Sequence, residues 1–337
     1  MTKLETKFMG IDIKNPIVVG ASNLSQNAET LVKMEKAGAA AIVYKSLFEE
    51  QIQYEKIQME EDLHEYDERH AEMISTHPGL KHAGPKEYLL NLKEAKKALS
   101  VPLIASLNAV EKETWVEYAQ LIEETGVDGL ELNLYSIPGY TESEAAEPEN
   151  QQIEILKAVK KVVNFPISVK LGPFYTNTLS VISKMDKVGV NGYVLFNRLF
   201  QPDIDTDKEK HHIPFNLSKE GDYKLSLRYA GMLYNNVQGN ICSNTGIYTG
   251  KDIAKLLLAG SDSVQVVSAI YKHKPEHIAT MLEELESWMK SHSYNSLKDF
   301  QGKLSQTSTK DKFAYTRAQY IDILMNAEEI IKKHPTG

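Results

Sequence analysis

The chain has 337 residues, 42% of them hydrophobic and 25% charged, a soluble composition long enough for one large α/β domain or two ordinary ones. Its 38 basic and 46 acidic side chains give a formal net charge of −8, which argues against a general nucleic-acid or anionic-membrane binder. A single cysteine, Cys242, excludes an intramolecular disulfide, a cysteine-based zinc finger and a self-contained iron–sulfur cluster.

PIVVGAS (16–22) reads as the first buried strand, and the amphipathic AETLVKMEKAG (28–38) after it ends in a helix-stopping glycine. AAIVYKS (40–46) is the second strand. The acidic stretch 49–72 behind it reads as a solvated helical excursion. Helix PKEYLLNLKEAKKALS (85–100), strand PLIASLN (102–108) and helix ETWVEYAQLIEETG (113–126) follow. Strand GLELNLY (129–135) precedes helix NQQIEILKAVKKVV (150–163), and strand PISVKLG (166–172) precedes helix TLSVISKMDKVG (178–189). GYVLFN (192–197) is the sixth strand, followed by a polar loop over 199–222 and helix YKLSLRYAGMLYNNV (223–237). NICSNTG (240–246), GKDIAKLLLAG (250–260), SVQVVS (263–268) and PEHIATMLEELESWMKS (275–291) complete the alternation.

The strand runs are apolar almost throughout, as in parallel strands covered on both faces. Eight strand–helix pairs in series predict an α/β chain folded as a (β/α)8 TIM barrel, with a doubly wound sheet as the structural alternative. Two long inserted loops interrupt it, and a linker and helical tail end it. The expected division is a barrel over 1–304 and a tail over 305–337. No apolar run reaches the ~18 residues of a membrane span. The start, MTKLETKFMG, lacks the layout of a secretory signal, so the expected location is cytoplasmic.

The active site of such a barrel lies at the C-terminal ends of its strands. Those ends carry Ala21 and Ser22, Lys45 and Ser46, Asn133 and Ser136, Lys170, Asn197 and Arg198, Asn244-Thr245-Gly246, and Ser268. A lysine in an apolar strand is costly unless an anion pairs with it. No acid shares a strand with Lys45 or Lys170. Either a bound anionic ligand or a barrel acid elsewhere, such as Glu131, meets them. Small residues over 244–246, with a helix starting near Thr249, let backbone N–H groups approach a phosphate; an ordinary strand–helix turn is the alternative.

No metal constellation is visible. His64, His70, His77 and His82 lack a ligand spacing, and the adjacent His211 and His212 cannot share one face. No G-x-S-x-G or P-loop occurs, and Cys242 reads as a small buried residue rather than a nucleophile.

An ordered set of segments resembles the dihydroorotate dehydrogenase family, in particular its soluble class 1 members. FMGIDIKNPIVVGAS (8–22) is similar to the family's opening β-hairpin and first strand, and YKS (44–46) to its flavin-side lysine segment. ELNLYSIPG (131–139) resembles E-L-N-[IL]-S-C-P-N-x-P-G, and VKLGP (169–173) the strand bearing the second lysine. SNTGIYTGKDI (243–253) resembles the phosphate turn G-x-G-G-I-x-[ST]-G-x-D-[AV], and SYNSLKDFQGKL (293–304) the closing S-[IL]-x-D-[FY]-x-G. The likeness runs in order over about 4–304.

The resemblance implies an FMN-dependent oxidoreductase acting on CH–CH groups, with dihydroorotate, a pyrimidine precursor, as the first candidate substrate. It implies flavin contacts from Ala21, Ser22, Lys45, Ser46, Asn133 and Lys170, and a phosphate site from Asn244, Thr245, Gly246, Val267 and Ser268. Ser136 falls where class 1 relatives carry a cysteine base and class 2 relatives a serine. Ser136 and Lys170 are therefore the expected catalytic residues. Lys45, Gly79, Leu80, Asn133, Asn197 and Arg198 are the expected substrate contacts.

Several positions depart from the family pattern. Pro138 replaces an asparagine. In THPGLKH (76–82), Thr76 and His82 stand where the family's substrate loop has asparagines, and Arg198 and Lys219 are also changed. The flavin contacts are thus better kept than the dihydroorotate contacts. That leaves open a different small acidic or cyclic-amide substrate, or a non-catalytic flavoprotein subunit of an electron-transfer complex. Expected partners are a small molecule and either a second copy or an electron-transfer subunit. No nucleic acid, membrane or metal is expected.

Overall fold

The computed structural model of the chain describes residues 2–54, 85–134, 146–198, 203–212 and 217–310, with scattered positions in the tail beyond. Strands β1 (Thr6–Phe8) and β2 (Ile11–Ile13) form an antiparallel hairpin with Phe8 opposite Ile11. Both loop residues have positive φ, 45° at Met9 and 86° at Gly10, the turn whose twist suits a two-residue hairpin. A methionine in that conformation costs ~1–2 kcal/mol. Complete burial of its side chain offsets the cost.

In chain order there follow β3 (Ile17–Val19), α1 (Ala28–Lys36), β4 (Ala41–Val43), the two-residue β5 (Leu47–Phe48), α2 (Pro85–Ala98), β6 (Leu103–Asn108), α3 (Lys112–Glu123) and β7 (Gly129–Leu134). Next come α4 (Ala146–Val162), β8 (Ile167–Leu171), α5 (Thr178–Val188), β9 (Gly192–Leu195), the antiparallel pair β10 (Asp203–Asp205) and β11 (Lys210–His212), and α6 (Lys224–Leu233). The series ends with β12 (Asn240–Asn244), α7 (Gly250–Ala259), β13 (Ser263–Val266), α8 (Ser268–His273) and α9 (His277–Ser291).

The parallel strands pair in the order β3, β4, β6, β7, β8, β9, β12, β13, and β13 pairs back onto β3. The sheet is therefore a closed (β/α)8 barrel, which excludes the doubly wound alternative. Local chemistry sets the helix ends. Asn27 caps α1 by accepting the N–H groups of Glu29 and Thr30, and Asn177 caps α5. Thr249 and Asp252 form a reciprocal capping box on α7.

The main core lies between the barrel wall and the helices, with Trp115 and Tyr193 among its largest fully buried side chains. A smaller cluster fills the barrel floor. There Phe8 and Met9 plug the N-terminal mouth against Val18, Val43, Ile104, Val194 and Cys242. Burial pushes the Cys242 thiol well above its ordinary range, which suits an inert packing residue. The plug needs bare backbone beside it. A Cβ on Gly192 would lie 3.1 Å from Met9 Cα, and one on Gly129 would lie 2.7 Å from Met9 Cε. Gly192→Val is expected to destabilise the fold by ~1–3 kcal/mol through overpacking. A lowered urea midpoint checks this; an unchanged one would mean that the hairpin lifts off without cost.

Three sequence expectations change. The acidic stretch is not solvated at its start, because Glu49 is buried and accepts the N–H groups of Val110 and Glu111. The polar loop over 199–222 contains the β10–β11 hairpin, turned by Asp205 accepting the N–H groups of Asp207 and Lys208. Its strands are too short and polar to show an alternating pattern, and His211 is exposed on one of them. The run after β13 holds the short helix α8 before the expected one. Residues 304–306 dock onto the barrel, with the N–H groups of Leu304 and Gln306 donating to Leu258 O and Gly231 O at 2.9 Å each.

Candidate active site

One cavity of about 370 Å3 opens at the C-terminal ends of the barrel strands. Ala21, Ser22, Lys45, Ser46 and Lys170 line one part of it. Asn197, Arg198, Asn244, Thr245, Gly246, Val267 and Ser268 line another part, with Ser218 and Gln265 beside them. Asn133 is not a lining residue, but its side chain accepts a hydrogen bond from Asn197 Nδ2 in the wall. Gly79, Leu80 and Ser136 lie outside the described residues, as do His64, His70, His77 and His82. Among the described residues no group of three or more histidine, cysteine or acidic side chains is placed to hold a metal.

The β3 end is fixed where Gly20 N–H donates to Val266 O at 3.1 Å, and the turn beyond it exposes Ser22 to the cavity. The Ser22 hydroxyl is buried with no hydrogen-bond partner among the described residues. At the β4 end, Tyr88 OH donates to Lys45 O at 2.9 Å, and Ser46 and Ser106 hydroxyls bond at 2.8 Å. Burial pushes the phenol of Tyr44, packed edge-on against Tyr88, up to about 12, so it stays a donor, to Gln26 O.

The two lysines differ. Lys170 Nζ lies 3.9 Å from Glu131 Oε1, so a barrel acid does meet it. Gln265 lies between them. Its Nε2 donates to Glu131 Oε2 at 2.5 Å, and its Oε1 accepts from Lys170 Nζ at 3.4 Å. Lys45 is half-buried and has no ion pair among the described residues, so it carries the argument for an anionic ligand. Arg198 donates to Asp222 Oδ2 at 3.4 Å, a partner that sequence reading did not assign.

At the opposite end Thr245 and Gly246 both have φ of +72°, a left-handed pair that is unusual for a β-branched residue. Loop 217–222 lies over this turn. Gly246 N–H donates to Ser218 Oγ at 3.0 Å, and Ser218 Oγ donates to Ser268 Oγ at 2.7 Å. Sequence reading missed Ser218 and Gln265. The signal for Gln265 was present, since a glutamine inside the apolar run SVQVVS must find a buried hydrogen-bond partner. Ser218 lies in NLSKEGDY (216–223), which resembles the family's L-S-G turn with Lys219 replacing a phosphate-facing glycine, but the serine itself was not assigned a role.

A Cβ at Gly246 would collide with Lys219 O and lie 2.7 Å from Asp222 N, both backbone atoms. Gly246→Ala is therefore expected to displace loop 217–222 and destabilise the protein by on the order of 1–3 kcal/mol. Gly126→Ala is the control, because Gly126 shares a positive φ of 81° but an added Cβ there would meet nothing within 4 Å. Equal thermal-midpoint losses in the two variants would show that the close loop contact is not rigid.

The family model for dihydroorotate dehydrogenase matches residues 3–289 of the chain. The catalytic subunit of dihydroorotate dehydrogenase B (NAD(+)) from Thermoplasma acidophilum is 24% identical over 309 residues, covering 90% of this chain and 99% of that protein. Its counterpart from Pyrococcus abyssi is 27% identical over 311 residues, covering 89% and 98%. A putative dihydroorotate dehydrogenase A (fumarate) from Aeropyrum pernix is 26% identical over 229 residues, covering 66% of this chain and 74% of that protein.

Proposed function

The chain belongs to the dihydroorotate dehydrogenase family, and from that premise we propose that it is an FMN-dependent enzyme that dehydrogenates a CH–CH unit, with dihydroorotate as the first candidate substrate. The observation that carries this reading is the convergence of lysines, small residues and hydroxyls from six strand ends on one cavity. The residues fit a flavin. Ser22 presents a buried hydroxyl with no hydrogen-bond partner among the described residues, Lys45 a cation without an acid among them, and Thr245-Gly246 a left-handed turn that lines the cavity.

In this reading Ala21, Ser22, Lys45, Ser46, Asn133 and Lys170 hold the ring. Asn244, Thr245, Gly246, Val267 and Ser268 hold the phosphate, with Ser218 as an added hydroxyl. When bound, FMN supplies a ring that accepts a hydride. Lys170 holds a fixed positive charge at the cavity floor, which favours negative charge developing above it. Ser136 removes the proton; a serine is a weak base alone and needs a neighbouring relay.

The Asn133–Asn197 hydrogen bond consumes one donor and one acceptor. Whichever way the amides are assigned, one NH2 and one carbonyl remain, which complements the N–H and C=O of a cyclic amide. Arg198 would share itself between a substrate carboxylate and Asp222. Likeness to B-type catalytic subunits adds an electron-transfer partner subunit to the reading, because the lone buried Cys242 cannot hold an iron–sulfur cluster.

The test is the visible spectrum of the purified protein before and after anaerobic addition of dihydroorotate. A flavin spectrum that bleaches is the expected result. An unmoved flavin spectrum at millimolar dihydroorotate removes that substrate, and a protein that cannot be loaded with FMN removes the cofactor.

A further inference from the structure

The Lys170–Glu131 pair sits inside the barrel with side chains 11% and 0% exposed. A buried lysine and carboxylate ordinarily close to ~2.7–2.9 Å. Here they stand 3.9 Å apart, and Glu131 Oε1 makes no hydrogen bond among the described residues. Gln265, 2% exposed, fills the gap and bonds to both. An ionised carboxylate only accepts hydrogen bonds, so it fixes which end of the Gln265 amide faces it. The amide oxygen is thereby turned to the ammonium. Position 20 keeps that arrangement open, because a Cβ on Gly20 would lie 3.0 Å from Gln265 Oε1. Of the three, Lys170 and Gln265 line the cavity.

We propose that Gln265 is a positioning residue that, oriented by Glu131, keeps the Lys170 ammonium from closing on the carboxylate and so leaves its charge available to the cavity. This rests on reading the cavity as a flavin site. The charge of an ammonium already paired at contact distance is largely cancelled for a group above it, whereas one held at arm's length retains more of its field. Severing the bridge lets Lys170 drop onto Glu131. Removing Glu131 as well leaves it nothing to drop onto.

The test is the two-electron midpoint potential of bound FMN in the full chain, with FMN affinity measured by fluorescence titration of stripped protein. Gln265→Met is expected to lower the ratio of reduced-to-oxidised flavin affinity about tenfold, a fall of about 30 mV. Glu131→Gln alone is expected to raise the potential. Glu131→Gln placed in the Gln265→Met background is expected to restore the potential to the wild-type value or above, a reversal that mere packing would not give. A potential unmoved by Gln265→Met, or a double variant as low as the single one, overturns the proposal while leaving the flavin reading intact. If Gln265→Met does not fold, a Glu131→Gln potential at or below wild type overturns it. Wild-type protein that takes up no FMN overturns both.

Discussion

Lys170→Met is expected to lower turnover by roughly 10²- to 10³-fold and to destabilise the fold by ~3–5 kcal/mol. The two losses have different origins. Under the proposed function, the rate loss follows from removing the ammonium beside the ring, where negative charge would develop as hydride arrives. The stability loss follows from Glu131, which is fully buried and would lose its cationic neighbour. The 3.9 Å separation places the cost in the lower part of that range. Methionine retains most of the stem, so little of the loss is cavity formation. Lys45→Met is the comparison. Lys45 has no acid partner among the described residues, so its removal should weaken anion and flavin binding without a comparable loss of stability. Urea unfolding of both variants, with turnover per bound flavin, separates the effects. Wild-type stability in Lys170→Met would show that Glu131 does not depend on that counter-ion.

Ser136→Ala is expected to reduce turnover by ~10²- to 10⁴-fold, the usual contribution of a positioned proton acceptor, while flavin content stays at the wild-type level. Strand β7 leads into the segment that carries Ser136. It sends Glu131 into the barrel and, two residues on, Asn133 to the Asn197 amide in the cavity wall. Ser136 follows three residues later, on the segment outside the described residues. Ser136→Cys is the informative partner variant. A free thiol titrates near 8.5, so that variant should turn over at least as fast as wild type, and its rate should rise with pH as the thiolate forms. Undiminished turnover in Ser136→Ala would move the base elsewhere. Lost flavin in the same variant would make Ser136 a structural residue of the site.

The strand ends show how far local pattern reaches. PISVKLG and AAIVYKS each place one lysine in an otherwise apolar run, and both lysines line the cavity. That was readable because alternating βα units oblige every strand to point the same way, so all their C-terminal ends share one mouth. The Lys170 partner was only an alternative in the sequence. Gln265 lies 134 residues from Glu131 and 95 from Lys170, and nothing in the spacing says which inward side chains share a layer. Likewise, Ser218 reaches the Gly246 amide across 28 residues of polar loop and helix.

The sequence by itself determined the eight-unit barrel, the site's end of that barrel and most of the residue types lining it. Apolar runs, helix caps and glycine stops act within a few residues of chain, where pattern and structure coincide. Tertiary structure alone decided the hairpin plug beneath β7 and β9, the burial of Glu49, and the Lys170–Gln265–Glu131 bridge. Those depend on barrel closure and strand stagger, which set distances between residues that are neighbours only in space.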